Sequence, residues 1–105
     1  MISRIQLLLE FIEEDPNDVF THYALALEYW NLNKIEEALA FMLKAKELDN
    51  EYLAIYYQLG KIFETLKDYT KAREVFQEGM EIAKSQQNSK TYSELEFALE
   101  DIEDL

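Results

Sequence analysis

The chain has 105 residues, enough for a single domain with one modest core, and 49% of them are hydrophobic, which argues against a disordered chain. Ten Lys and Arg stand against 22 Asp and Glu, a formal charge of -12 that repels phosphate backbones and anionic bilayers, so neither nucleic acid nor a membrane is an expected partner. Cysteine is absent, which excludes disulfides, thiolate metal ligands and a cysteine nucleophile.

Along the chain, residues 2–14 place Ile5, Leu8, Leu9 and Ile12 on one helical face, with Arg4, Glu10, Glu13 and Glu14 mostly away from it. Gln6 and Glu10 interrupt the apolar residues and no small-residue cleavage site is present. The segment therefore reads as an amphipathic helix, not a leader or a membrane span, and a cytoplasmic location is the expectation. Pro16, in EDPND, ends it. Turn-prone clusters at 31–33, 49–50, 67–68 and 85–89 then separate predicted helices at 17–32, 35–48, 51–66, 69–85 and 91–104.

The last helix is expected to open on a capping box, Thr91 with Glu94 or Ser93 with Glu96. Its stripe Leu95, Ala98, Leu99 and Ile102 lies opposite a face of Glu94, Glu96, Glu100, Asp101, Glu103 and Asp104. No segment alternates with period two. An all-α fold of about six helices follows, and the short connections make consecutive helices antiparallel neighbours.

Residues that carry chemistry are few. His22 is the single histidine, with no cysteine and no triad-like serine near it, and a core or half-buried packing role is expected. Acidic runs such as Glu13, Glu14 and Asp15, or Glu36 and Glu37, lack the alternation and glycine of a calcium loop and read as solvated faces. There is no phosphate-binding glycine loop. The expectation is a non-enzyme without metal or cofactor.

Compared with itself, the chain repeats. Tyr23 and Tyr57, Leu25 and Leu59, Leu32 and Leu66, Ala38 and Ala72, and Glu47 and Glu81 pair at an offset of 34 residues. The same register matches size: Ala26 with Gly60, Tyr29 with Phe63, Met42 with Phe76, Ala45 with Gly79, and Leu48 with Ile82. Tyr56-x2-Leu59-Gly60-x2-Phe63 followed by Ala72-x3-Phe76 resembles the tetratricopeptide repeat, a 34-residue helix-turn-helix unit, and His22-x2-Leu25-Ala26-x2-Tyr29 followed by Ala38-x3-Met42 matches it more loosely. Pro16 stands where the closing proline of a preceding unit falls, while Asn50 and Lys84 replace that proline after the two units.

The resemblance implies antiparallel helix pairs stacked as a short right-handed α-solenoid. Repeat 1 would span 19–52 and repeat 2 would span 53–86, with capping helices at 2–14 and 89–105 covering the terminal apolar faces. Gly60 would admit the bulk of the paired helix. The implied function is protein binding, with a peptide or partner helix held in a concave groove built mainly from the first helix of each pair. That side would carry Phe20, Tyr23, Leu27, Trp30 and Asn31 from the first unit and Tyr57, Gln58, Lys61, Glu64 and Thr65 from the second. The ligand is expected to be a neutral or basic protein or peptide with apolar anchors. Tyr23 and Leu27 stand where some members carry the lysine and asparagine that grip a chaperone's C-terminal carboxylate, so that activity is not expected. The alternative is a structural homodimer joined through Phe20, Tyr23, Leu27 and Trp30.

Overall fold

A helix start leaves four backbone N–H groups without partners, and in the computed structural model, which describes residues 2–105, four of the six starts are closed by a short polar side chain. The helices are α1 (Arg4–Glu14), α2 (Val19–Asn31), α3 (Ile35–Leu48), α4 (Ala54–Thr65), α5 (Tyr69–Ser85) and α6 (Ser89–Glu103). No strand occurs among the described residues, as the lack of period-two alternation predicts. Also among them, no helix is long and apolar enough to cross a membrane.

Asp18 accepts the Thr21 N–H at 3.2 Å, and the Thr21 hydroxyl also donates to it; Asp68 accepts the Lys71 N–H at 3.2 Å. The capping box lies at the opposite end from where the sequence suggested. Gln6 N–H donates to Ser3 Oγ at 3.1 Å and Ser3 N–H donates back to Gln6 Oε1 at 3.2 Å. At α6 the cap is Asn88, which accepts the Thr91 N–H at 3.0 Å, so Thr91 and Ser93 lie inside the helix and neither expected box forms. The predicted start at 51 also moves, to Ala54, and its N-cap, Leu53, makes no side-chain hydrogen bond.

The turns α2–α3, α4–α5 and α5–α6 share one chemistry. After α2, Asn33 N–H reaches the Trp30 carbonyl and Lys34 N–H reaches that of Tyr29, both at 2.9 Å. After α4, Lys67 and Asp68 bond Glu64 and Phe63 at 2.9 Å; after α5, Gln87 and Asn88 bond Lys84 and Ala83 at 3.1 and 2.9 Å. Each is a Schellman closure, and its left-handed residue is Asn33, Lys67 or Gln87, with φ of 61, 62 and 57°. The residue after each left-handed one caps the next helix, by its side chain at Asp68 and Asn88.

The chain divides into two compact units, one running to Asn50 and the other from Glu51 to Leu105. In the first, α2 packs on both α1 and α3. Leu8, Ala24 and Leu25 form a buried cluster, with Ile5, Ile12, Tyr29 and Phe41 against it. Phe41 stacks on Tyr29 with ring centroids 5.5 Å apart and planes 5° from parallel. His22 is buried and donates from Nε2 to the Pro16 carbonyl at 2.7 Å, fastening the α1–α2 link to the core. This is the packing role expected of it.

In the second unit α4, α5 and α6 pack together. Gln86 Nε2 donates to the Glu51 carbonyl at 2.7 Å, tying the unit's first residue to the end of α5. Leu95, Ala98, Leu99 and Ile102 are all buried, so the α6 stripe is the inner face it was read to be. Gly60 answers to a ring: a Cβ built there would lie 2.5 and 2.6 Å from Cζ and Cδ1 of Phe76, which is fully buried and has nowhere to move. A Cβ at Gly79 would meet Tyr56 Cβ at 2.5 Å and Leu95 Cδ1 at 2.9 Å, so α4 and α6 both press on α5 at that residue.

Gly60→Ala is therefore expected to destabilise the chain by about 1 to 3 kcal/mol, although alanine is the better helix former. Phe76→Leu in the same chain should make that change nearly neutral, a non-additivity read by urea denaturation. Lys67→Gly is expected to raise stability by about 0.5 to 1 kcal/mol, because glycine adopts the left-handed conformation without the Cβ penalty; an unchanged thermal midpoint contradicts this.

Candidate binding surfaces

Residues spaced by three and four share a helical face, so Phe20, Tyr23, Leu27, Trp30 and Asn31 form one line along α2. Their surroundings differ. Tyr23, Leu27 and Trp30 are half-buried, whereas Phe20, 56% accessible, and Asn31 are exposed. Phe20 lines a cleft of about 430 Å³ between α1 and the start of α2, together with Arg4, Leu8, Phe11, Glu14, Asp15, Asp18 and Thr21. Phe11 is not among the residues read as ligand-binding from the sequence: at an offset of 34 it stands in register with Ala45, an inner position, yet it is 44% accessible and lines this cleft with Phe20.

On α4, Tyr57, Gln58, Lys61 and Glu64 are half-buried and Thr65 is exposed. They are linked in a chain. Lys61 Nζ donates to Glu64 Oε2 at 3.1 Å and lies 5.9 Å from the centroid of the Tyr57 ring, at cation–π range. The Tyr57 ring stands 6.4 Å from that of Phe76, so the surface group is braced on the core. Thr65 Oγ1 donates to the Lys61 carbonyl at 3.0 Å. Glu64 Oε1 is buried and has no hydrogen-bond partner, an acceptor left over beside a neutralised ion pair. The face thus carries no net charge and presents one aromatic ring with donors and acceptors held in place.

A second cleft, of about 450 Å³, lies at the α5–α6 turn and is lined by Ala83, Lys84, Gln87, Asn88, Ser89, Tyr92 and Ser93. The polar cluster at 85–89 marked only a turn in the sequence. Phe97 on α6 is 73% accessible among the acids of the outer face. Among the described residues no group of three His, Asp or Glu side chains is placed to hold a metal ion.

Residues 32–103 match the family model described as regulator of microtubule dynamics protein 1-3. Over 71 residues the chain is 37% identical to Hsp70-Hsp90 organizing protein 3 of Arabidopsis thaliana, a match that takes in 68% of this chain but only 13% of that protein. The solution structure of a tetratricopeptide repeat domain protein from Salinibacter ruber is 37% identical, with a TM-score of 0.80 over 87% of this chain and 92% of that one. The yeast Sti1 TPR2B domain, solved in complex with pHsp70, superposes with a TM-score of 0.87 over 93% of this chain and 78% of that one, at 20% identity, a likeness of fold alone. The chain is a tetratricopeptide repeat protein and belongs to the family described as regulator of microtubule dynamics protein 1-3.

Proposed function

We propose that the chain is a non-enzymatic interaction scaffold that binds a peptide or a partner helix through the first-helix faces of its two repeats, α2 and α4. The observation that carries this reading is the braced group on α4: Phe76 supports Tyr57, Tyr57 supports Lys61, and Lys61 holds Glu64. A rigid aromatic-polar patch of this kind takes a ligand with little loss of side-chain freedom. On α2, Tyr23, Leu27 and Trp30 supply apolar anchors, with Asn31 at the end of the line as a hydrogen-bonding group.

One relative is by name an Hsp70-Hsp90 organizing protein, and the Sti1 domain was solved with pHsp70. Here Tyr23 and Leu27 occupy the positions of the carboxylate-gripping lysine and asparagine. The ligand of this chain is accordingly one that offers apolar anchors and neutral or basic groups, not a terminal carboxylate.

A pull-down from native extract, followed by titration of the captured partner, tests the reading. Trp30→Ala is expected to weaken binding by about 1 kcal/mol or more, roughly five- to tenfold. Lys61→Glu should mainly shift preference away from acidic groups on the ligand. If both leave the affinity untouched while Glu47→Lys or Glu81→Lys, on α3 and α5, abolishes it, the first-helix faces are not the site. Sedimentation velocity separates the competing homodimer: a dimer that Trp30→Ala dissociates would assign the α2 face to self-association.

A further inference from the structure

The cleft between α1 and α2 belongs to the first unit alone and is distinct from the α4 group. Its floor is apolar, with Leu8 buried and the rings of Phe11 and Phe20 left 44% and 56% accessible. Two phenyl rings open to solvent in one concavity are unusual on a monomeric surface.

Its rim is acidic. Glu14, Asp15 and Asp18 line it, and residues 10–18 contain Glu10, Glu13, Glu14, Asp15 and Asp18 without a single base. The one cation in the lining, Arg4, is already held by Glu28 at 2.7 Å. Asp15 and Asp18 are fixed in place by accepting the N–H groups of Asn17 and Thr21, and none of the three rim carboxylates is ion-paired among the described residues. Two of the three uncompensated charges are thus held in place beside the apolar rings.

We propose that this cleft docks a basic linear segment of a partner protein, in which an aromatic or large aliphatic side chain is flanked by arginine or lysine. The apolar side chain seats between Phe11 and Phe20, and the flanking cations reach Glu14, Asp15 and Asp18. Arginine suits both parts of the site, since its guanidinium forks onto a carboxylate while its stem, or the cation itself, covers a ring face. Charge selects the occupant. A second copy of the chain brings a formal charge of -12 against this rim, and nucleic acid or an anionic lipid surface is repelled in the same way.

The probe is a fluorescein-labelled, N-acetylated hexapeptide, Arg-Leu-Arg-Phe-Lys-Arg, titrated with the full chain and followed by fluorescence anisotropy. Saturable binding that weakens between about 50 and 500 mM NaCl is expected. Phe20→Gln, and separately the pair Glu14→Gln and Asp15→Asn, should each reduce affinity by about tenfold. Replacing the peptide's phenylalanine by serine should do the same. The pair Glu100→Gln and Asp101→Asn removes as much charge from α6 and should leave the affinity unchanged. Because Phe20 is exposed, Phe20→Gln should melt as the parent does, and Phe11→Gln serves as the second variant if it does not. The proposal is overturned by a probe that stays unbound at about 1 mM chain. It is equally overturned by an equal loss from the α6 pair, by a loss confined to Trp30→Ala, or by a dimer in sedimentation that Phe20→Gln dissociates.

Discussion

The second unit depends on two close approaches to small residues: the Phe76 ring over Gly60, and Tyr56 with Leu95 against Gly79. Glycine in a helix interior is unfavourable by about 0.5 to 1 kcal/mol relative to alanine, and here that cost is offset by seating three large side chains that would otherwise hold the helices apart. Phe76, Tyr56 and Leu95 are fully buried as a result. The first unit meets the same need with different residues. In the repeat register Ala26 and Met42 occupy the positions of Gly60 and Phe76, and both are fully buried.

Close packing of this kind requires each helix to stop and restart without slack. The three Schellman turns do this by letting one residue serve both ends: Asp68 bonds the Phe63 carbonyl through its N–H and caps Lys71 through its carboxylate, and Asn88 does the same between Ala83 and Thr91. The left-handed residue between is never glycine. Asn33 suits that conformation, whereas Lys67 and Gln87 bear strain that the two flanking carbonyl bonds sustain. The link α1–α2 closes differently, through the buried His22 ring and the Pro16 carbonyl.

The surface follows from where the core stops. On α4 the core residue Phe76 reaches outward to Tyr57, and order passes from there to Lys61 and Glu64 through a ring contact and an ion pair. On α2 the outward line divides, since Phe20 lies in the acidic cleft with Phe11 while Tyr23, Leu27 and Trp30 continue toward the C-terminal end. Electrostatics separates these regions as well: the α4 group is neutral, and among the described residues the carboxylates of the cleft have no ion-pair partner.

By itself the sequence determined the helical class, the six elements and much of the core, because the period of apolar residues and the punctuation between them are local properties. At an offset of 34 the identical pairs Leu25 and Leu59, and Ala38 and Ala72, are fully buried, and size matching adds further core pairs to them. Ala26 and Gly60, Met42 and Phe76, and Ala45 and Gly79 are all buried, while the identical pair Leu32 and Leu66 caps α2 and α4 at 57% and 42% accessibility, and Glu47 and Glu81 are exposed. Packing constrains volume at a buried position before it constrains chemistry, which is why size adds to identity there. Tertiary structure alone decided the rest. Which ring needs Gly60, what braces Tyr57 against the core, and that Phe11 and Phe20 share a cleft all depend on distances between residues of different helices. Such distances are set when the helices pack, and no local pattern in the chain encodes them.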